Sequence, residues 1–325
     1  MSYQRLIPLI KKTGSTLSPE EFQSRINVVF HDYEAAHYDR LHDDMWESLQ
    51  EQINLLVDDW FAHQNPNSGL KLLDIGCGTG LSTQKLLATK AGQFIDEIIL
   101  LDTSAKMLEQ AAQKAVQWNK KHQIVNGLCD VLTDGYDVII VCSVLHHIPD
   151  LDAFFQQINR LLNPNGILIH LQDPNGDYAQ DEIFIQREDM LHKQRKSTPK
   201  RWVDYLPNSF KNNLNRWLGR KNYIDYINDQ LLGEKVITKR MTADEIWSVT
   251  DIHVESKDDT QTRGISFEFL KNRLRNFRLI SHRSYAFYGV LKSDLPVEMQ
   301  QDESQWIQQN QLNGRNLACV WQKKD

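Results

Sequence analysis

Alternating glycines after an apolar run mark the part of this chain best suited to hold a nucleotide-like ligand. Residues 72–80 read L-L-D-I-G-C-G-T-G. Glycine has no Cβ and adopts positive φ without strain, so a glycine-rich turn lets the backbone approach a ligand closely. The spacing fails G-x-G-x-x-G, whose third glycine would fall on Leu81, and no G-x-x-x-x-G-K-[ST] phosphate loop can be drawn here. A dinucleotide or sugar-nucleotide site with a degenerate loop is the alternative interpretation.

Acidic residues stand at the ends of the first three predicted strands. Asp74 precedes the glycines, and a carboxylate beside a helix N-terminus disfavours a pyrophosphate and favours ammonium and sulfonium charges. Asp102 closes the second apolar run, where an acid can accept hydrogen bonds from both ribose hydroxyls. Asp130 follows the third run, where an adenine amino group could donate to it. These acids predict a ligand that combines a positive charge, a ribose and an adenine.

The motif series resembles the class I S-adenosylmethionine-dependent methyltransferases over about residues 70–172. The motifs are D-I-G-C-G-T-G, L-D-x-S-x-x-M-L, C-D, Y-D-V-I-I-V-C-S-V-L-H-H-I and L-x-P-N-G-I-L-I. The resemblance implies a Rossmann-like core and S-adenosylmethionine as the cofactor. It also implies cofactor-binding roles for Asp74, Gly76, Cys77, Gly78, Gly80, Asp102, Thr103, Met107, Cys129, Asp130 and Ser143.

A further cofactor contact is expected before the core. The stretch His37-Tyr38-Asp39 is similar to the Y-D element that many small-molecule methyltransferases carry there, with the tyrosine over the cofactor. We therefore expect Tyr38 to bind the cofactor, the alternative being a buried tyrosine that packs two helices together.

Candidate catalytic groups follow the fourth and fifth predicted strands. These are His146, His147 and Asp173. An imidazole suits proton removal from a phenol, an enol or an ammonium near neutral pH. The resemblance implies that one histidine faces the methyl acceptor and the other packs, without saying which, and a purely structural role for both is the alternative.

Alternating apolar and helical patterns predict an α/β fold with a seven-stranded, mostly parallel sheet and helices on both faces. The predicted strands are 70–75, 97–102, 122–126, 136–142, 166–171, 277–288 and 316–321, the last inserted antiparallel. We expect an N-terminal helical cap over 1–65, a core over 66–173 and 263–325, and a helical insertion over 174–262 that forms a substrate lid.

The insertion is basic although the chain is acidic. Ten basic and three acidic residues lie between positions 187 and 221, a local charge of +7, whereas the whole chain carries −6. The asymmetry indicates an anionic or carrier-tethered partner, and a solvated helix face is the alternative.

Composition and motif content bear on three questions: metal binding, location and nucleic-acid substrates. The chain has 325 residues, 41% of them hydrophobic, and four cysteines without zinc-ligand spacing, so no metal site is predicted. No apolar run reaches the ~18 residues of a membrane span, so a cytoplasmic location is expected. The fourth-strand motif lacks the [DN]-P-P-[YF] sequence of enzymes that methylate nucleic-acid bases, which disfavours a nucleic-acid substrate.

These patterns lead to one function and two alternatives. We expect methyl transfer from S-adenosylmethionine to an oxygen or nitrogen of a small metabolite that is anionic or carrier-tethered; a homo-oligomer is compatible with the sequence. The alternatives are an S-adenosylmethionine-binding protein that transfers no methyl, as in a cyclase or a sensor, and an RNA methyltransferase that uses the basic insertion.

Overall fold

The computed structural model describes residues 2–35, 43–133, 135–178, 181–197, 223–254 and 264–325. Seven strands alternate with helices along the chain. The strands are β1 (Leu70–Ile75), β2 (Ile95–Asp102), β3 (Lys121–Asn126), β4 (Tyr136–Cys142), β5 (Leu162–Pro174), β6 (Phe277–Tyr285) and β7 (Asn316–Lys323). The α-helices are α1 (Ile7–Thr13), α2 (Pro19–Glu34), α3 (Asp43–His63), α4 (Leu81–Leu87), α5 (Ala105–Ala115), α6 (Leu151–Leu161), α7 (Glu182–Ser197), α8 (Tyr223–Gly233), α9 (Ala243–Thr250), α10 (Phe267–Arg273) and α11 (Val297–Gln308).

The strands form one sheet in the order β3-β2-β1-β4-β5-β7-β6. The first five pair in parallel, and β7 pairs antiparallel with both β5 and β6. This confirms the predicted seven-stranded, mostly parallel α/β sheet with an antiparallel last strand. Five strands differ from the predicted bounds. Strand β6 ends at Tyr285, three residues early, before Ala286 takes φ +62°, whereas β5 extends beyond 166–171 at both ends. The start of β2, the start of β3 and the end of β7 each differ by one or two residues.

Strand periodicity builds a core on each face of the sheet. Successive side chains of a strand point to opposite faces, so Leu72 joins one apolar cluster while Leu73 joins the other. Both are fully buried, as expected for central parallel strands that helices cover on both sides.

The N-terminal helices divide between two layers. Helix α3 packs on the sheet, where Ile53 and Trp60 belong to the same cluster as Leu72. Helices α1 and α2 instead share a separate core with the insertion, in which Ile26 contacts the group containing Leu231 and Ile246. Helices α1 and α2 thus pack with α8 and α9, whereas α3 packs on the sheet.

Local signals position these elements. Helix α2 begins with the predicted capping box, in which Ser18 Oγ accepts the Glu21 N–H at 3.2 Å and the Glu21 carboxylate accepts the Ser18 N–H at 2.9 Å. Helix α9 begins in the same way with Thr242 and Glu245. No helix among the described residues is both long enough and apolar enough to cross a membrane.

Candidate active site

The glycine turn between β1 and α4 leaves open space where a side chain would stand. Gly78 has φ +52°, and a Cβ placed on it would meet no atom within 4 Å. Gly76, in contrast, is packed, because a Cβ there would lie 2.5 Å from Val144. The turn therefore shows a ligand-sized opening at Gly78 and a fixed backbone on either side of it.

Asp102 connects β2 to this turn. Its Oδ2 accepts the Gly78 N–H and its Oδ1 accepts the Ser104 N–H, both at 2.8 Å. A carboxylate has about four lone-pair positions, so two remain for other donors. Asp102 is partly exposed, and Met107 lies buried one turn into α5. The open cradle at Gly78 and the half-satisfied carboxylate fit the ribose of an adenosine-containing cofactor.

Asp74 is fully buried where β1 enters the turn. Its Oδ2 accepts hydrogen bonds from the Ser82 and Thr83 hydroxyls at 2.6 Å, and burial raises its pKa to about 6. Its Oδ1 has no hydrogen-bond partner among the described residues. Asp74 therefore links the turn to the first turn of α4 through one oxygen and leaves the other unpaired in the described part of the chain.

The other cofactor candidates lie around the same end of the sheet. Thr103 and Ser143 are partly buried, directly after β2 and β4. Cys77 is buried within the turn and Cys129 is buried after β3, whereas Asp130 beside it is exposed. Tyr38 lies outside the described residues.

His146 and Asp173 form a buried pair at the carboxyl ends of β4 and β5. His146 Nδ1 lies 2.8 Å from Asp173 Oδ1, which also accepts the His146 backbone N–H at 3.2 Å. A carboxylate at Nδ1 favours the tautomer with hydrogen on that nitrogen and leaves the Nε2 lone pair for a substrate proton. The structure therefore brings two of the three predicted catalytic residues, His146 and Asp173, into hydrogen-bond contact.

His147 has the geometry of a packing residue. Its Nδ1 donates to the Thr250 carbonyl at 2.8 Å, and its ring meets His31 edge-on at 5.1 Å. Burial lowers the pKa of His147 well below its ordinary value, so the ring is neutral. The His147 side chain links α9 to the loop after β4. This contact distinguishes His147 from His146, which the sequence alone did not.

Asp251 lies beside both histidines in the structure. Its Oδ1 lies 3.9 Å from His146 Nε2 and 3.3 Å from His147 Nδ1. The three side chains offer ligand atoms within 4.8 Å of one another, which is a spacing seen for metal ligands. In this structure His147 Nδ1 instead donates a hydrogen to the Thr250 carbonyl.

A cavity of about 610 Å³ lies beside His146. Its walls come from the ends of β4 and β5, from α9 and the residues after it, and from the segment that follows β6. They comprise Ser143, His146, Gln172, Pro174, Asp244, Trp247, Asp251, Val254, Ala286, Gly289, Val290, Leu291, Asp294, Arg315 and Asn316. The volume suits a small molecule, and the insertion supplies one wall.

Most of the basic stretch lies outside the described residues. Of its ten basic side chains, the structure describes those of Arg187 and Lys193. Arg187 is buried, with its guanidinium 3.8 Å from the Trp306 ring centroid and hydrogen bonds to Asn313 and Gln311. Arg187 links α7 to α11 and is not part of an exposed charged surface. It therefore does not belong with the basic residues of positions 187–221 that were expected to attract an anionic partner.

The comparisons with known proteins agree with this arrangement. A sequence model of the family described as "Methyltransferase domain" matches residues 73–168. Residues 73–168 therefore form a methyltransferase domain, and this is the part of the chain whose motifs resemble the class I S-adenosylmethionine-dependent methyltransferases. S-adenosylmethionine is accordingly the cofactor, and the match begins on β1 and ends in β5, which includes the glycine turn, Asp102 and His146.

Three curated relatives are similar to this methyltransferase domain. A highly reducing polyketide synthase of Gibberella fujikuroi is 33% identical over 35% of this chain and 5% of its own length. A ubiquinone biosynthesis O-methyltransferase of Azorhizobium caulinodans is 29% identical over 32% and 40%. A malonyl-[acyl-carrier protein] O-methyltransferase of Legionella pneumophila is 33% identical over 30% and 34%. The chain thus matches less than half of the length of each of these relatives.

Among solved structures, an S-adenosylmethionine-dependent methyltransferase from Clostridium acetobutylicum is similar to 89% of this chain. The similar region spans 99% of the Clostridium chain at 11% identity, with a TM-score of 0.47.

Proposed function

We propose that this protein transfers a methyl group from S-adenosylmethionine to a small metabolite that is anionic or carrier-tethered, with oxygen or nitrogen as the acceptor atom. The observation that carries the proposal is the buried His146–Asp173 pair, whose histidine lines a small-molecule cavity at the carboxyl ends of β4 and β5. Ligands of open α/β sheets bind at this end. Two of the relatives are O-methyltransferases by name, which supports oxygen as the acceptor atom.

The residues of the turn would hold the cofactor. Asp102 would accept hydrogen bonds from the ribose hydroxyls with its two remaining lone-pair positions, and the opening at Gly78 would admit the ligand against the backbone. When bound, the cofactor supplies a methyl group on a sulfonium, whose carbon–sulfur bond breaks with its electron pair on sulfur.

The remaining contributions come from the chain itself. The cavity walls align the acceptor and exclude water, and alignment of this kind contributes about 7–11 kcal/mol to lowering a barrier. His146 removes the acceptor proton through Nε2, while Asp173 holds the ring and stabilises the imidazolium that forms. His147 and the other contacts of α9 keep the insertion wall closed against the loop after β4.

Isotope transfer tests the proposal. The purified protein is incubated with cofactor labelled in its methyl group and with a metabolite extract, and the products are separated by mass. We expect a labelled small molecule, together with about a 10²–10⁴-fold loss of rate in His146→Ala. His122→Ala is the matched control. His122 is exposed near the start of β3, whereas the proposed site lies at the carboxyl ends of the strands, so this substitution should leave the rate unchanged.

The other outcomes identify the alternatives. Label confined to RNA would favour the RNA methyltransferase. Cofactor binding by calorimetry without any demethylated cofactor would favour a protein that uses the ligand without transferring its methyl group.

A further inference from the structure

Strand β5 contains a bulge beside the active site. Leu171 pairs with Ala318 and Asp173 pairs with Leu317, the next residue along β7, so Gln172 is an extra residue without a partner. Its φ is +65°, a conformation that is rare outside glycine. Bulges redirect side chains and are frequent next to active sites. Here the bulge lets Asp173 reach His146 while its neighbour Gln172 lines the cavity.

A buried tyrosine fixes the side chain of Gln172. Tyr285, the last residue of β6, is 1% exposed, and its hydroxyl donates to Gln172 Oε1. Burial raises the pKa of Tyr285 well above its ordinary value, so the hydroxyl keeps its hydrogen at every physiological pH. Because Gln172 Oε1 accepts the hydrogen bond from Tyr285, the amide nitrogen of Gln172 points away from the tyrosine hydroxyl.

The Gln172 amide nitrogen remains available to a ligand. It donates no hydrogen bond to any residue in the described part of the chain, although the side chain belongs to the cavity wall. An amide nitrogen carries two N–H donors. A neutral donor beside a base suits an oxygen that gains partial negative charge as the proton leaves.

We propose that Gln172 is a specificity-determining residue that selects acceptors methylated at the atom bonded to a carbonyl carbon. The inference rests on the proposed function and specifies its substrate class. Where that atom carries a proton, His146 Nε2 takes it, and in the resulting anion the electron pair is shared with the carbonyl oxygen, to which the Gln172 amide donates. The pair then forms the bond to the transferred methyl carbon, and the charge on the oxygen is removed.

Two kinds of acceptor satisfy this chemistry. In a carboxylate, which is ionised before it binds, the methylated atom is oxygen. In a 1,3-dicarbonyl compound it is carbon, which adds carbon to the acceptor atoms of the proposed function. In a phenol or a simple amine the acceptor atom is not bonded to a carbonyl carbon, so the Gln172 amide would have nothing to stabilise.

The test uses a panel of defined probes with the intact protein. The probes are the N-acetylcysteamine thioesters of malonate and acetoacetate, catechol and glycine methyl ester, and methylated products are identified by mass fragmentation. We expect the wild type to methylate one or both thioesters in preference to the other two probes. Gln172→Leu should lower kcat on the acetoacetate thioester about 10²-fold with little change in KM, because the donor acts on charge that develops as the proton leaves. On the malonate thioester, whose carboxylate is charged before it binds, the same change should raise KM instead.

Further variants separate positioning from folding. Gln172→Glu preserves volume and the contact with Tyr285 but replaces the donor by an acceptor, so its kcat should fall at least as far as that of Gln172→Leu. Tyr285→Phe frees the amide and should lower kcat less. Gln301→Leu is the matched control, since Gln301 is exposed on α11 and outside the cavity.

The possible results distinguish the two proposals. Two results would overturn the role of Gln172 without contradicting the proposed methyl transfer. One is a preference for catechol or the glycine ester, and the other is full kcat on the acetoacetate thioester in the folded Gln172→Glu variant. Transfer to none of the probes or extract metabolites overturns both. Equal losses on all four probes with a lowered melting temperature would show that Gln172 is structural, which also contradicts the inference.

Discussion

Replacement of Asp173 by asparagine removes one negative charge from the active site with almost no change of shape. Asp173 is fully buried, and its Oδ1 accepts both the His146 side chain at 2.8 Å and the His146 backbone N–H at 3.2 Å. Its Oδ2 has no partner among the described residues. The asparagine oxygen can keep both hydrogen bonds of Oδ1, so the variant isolates the effect of the charge on the imidazolium formed during proton transfer.

The size of the effect follows from the distance. Two charge centres about 4 Å apart in a medium of effective dielectric constant near 20 attract by about 4 kcal/mol. That attraction exists only when His146 is protonated, so its removal raises the barrier to the chemical step. Because about 1.4 kcal/mol changes a rate tenfold, Asp173→Asn should lower kcat by about 10³.

The assay is methyl transfer to the acceptor identified by isotope labelling, with cofactor affinity measured in parallel by calorimetry. Asp137→Asn is the matched control, since Asp137 also accepts two hydrogen bonds but stands at the other end of the sheet, near the start of β4. We expect that control to retain its kcat and both variants to bind cofactor as the wild type does. An Asp173→Asn protein that is folded and fully active would refute His146 as the base.

Three further predictions concern the cofactor turn and the core. Asp102→Asn should weaken cofactor binding about 10–100-fold for each charge-assisted hydrogen bond to the ribose that it removes, measured by calorimetry, and an unchanged affinity would contradict the assigned ribose site. Gly78→Ala places a methyl group in open space at φ +52°, so it should cost about 1–2 kcal/mol of stability and abolish cofactor binding; retained binding would mean that the ligand lies elsewhere. His170 is fully buried, and burial lowers its pKa to about 4, so the native protein keeps it neutral while the unfolded chain protonates near pH 6.5. The free energy of unfolding should therefore fall by about 3 kcal/mol between pH 6.5 and 4 from this residue alone, and His170→Gln, which can still accept from Trp321 Nε1, should show a smaller fall in acid denaturation.

Local patterns sufficed to predict the sheet. Apolar runs such as 136–142 are long enough and regular enough to specify buried strands, and the glycine turn identifies the carboxyl end of β1. The location of Asp102 at the carboxyl end of β2 was also predictable, because it closes an apolar run typical of a parallel strand.

Contacts between distant segments were not predictable in the same way. The distinction between His146 and His147 depends on Thr250 and Asp251, which lie more than 100 positions away, and nothing in the loop after β4 indicates that separation. The direction of Gln172 depends on a bulge set by pairing with β7, which lies more than 140 positions further along the chain. The hydroxyl partners of Asp74 belong to the following helix, and nothing in the sequence indicates these contacts.

The position of β7 has a consequence for synthesis on the ribosome. Strand β6 lies at the sheet edge and pairs only with β7 among the described strands, so it has no partner until residues 316–323 have been made. Tyr285, which orients Gln172, belongs to β6, the strand that has no partner until β7 has been made. The nascent chain can therefore assemble the cofactor end of the molecule early, whereas the acceptor end takes its final form only after β7 has emerged from the exit tunnel.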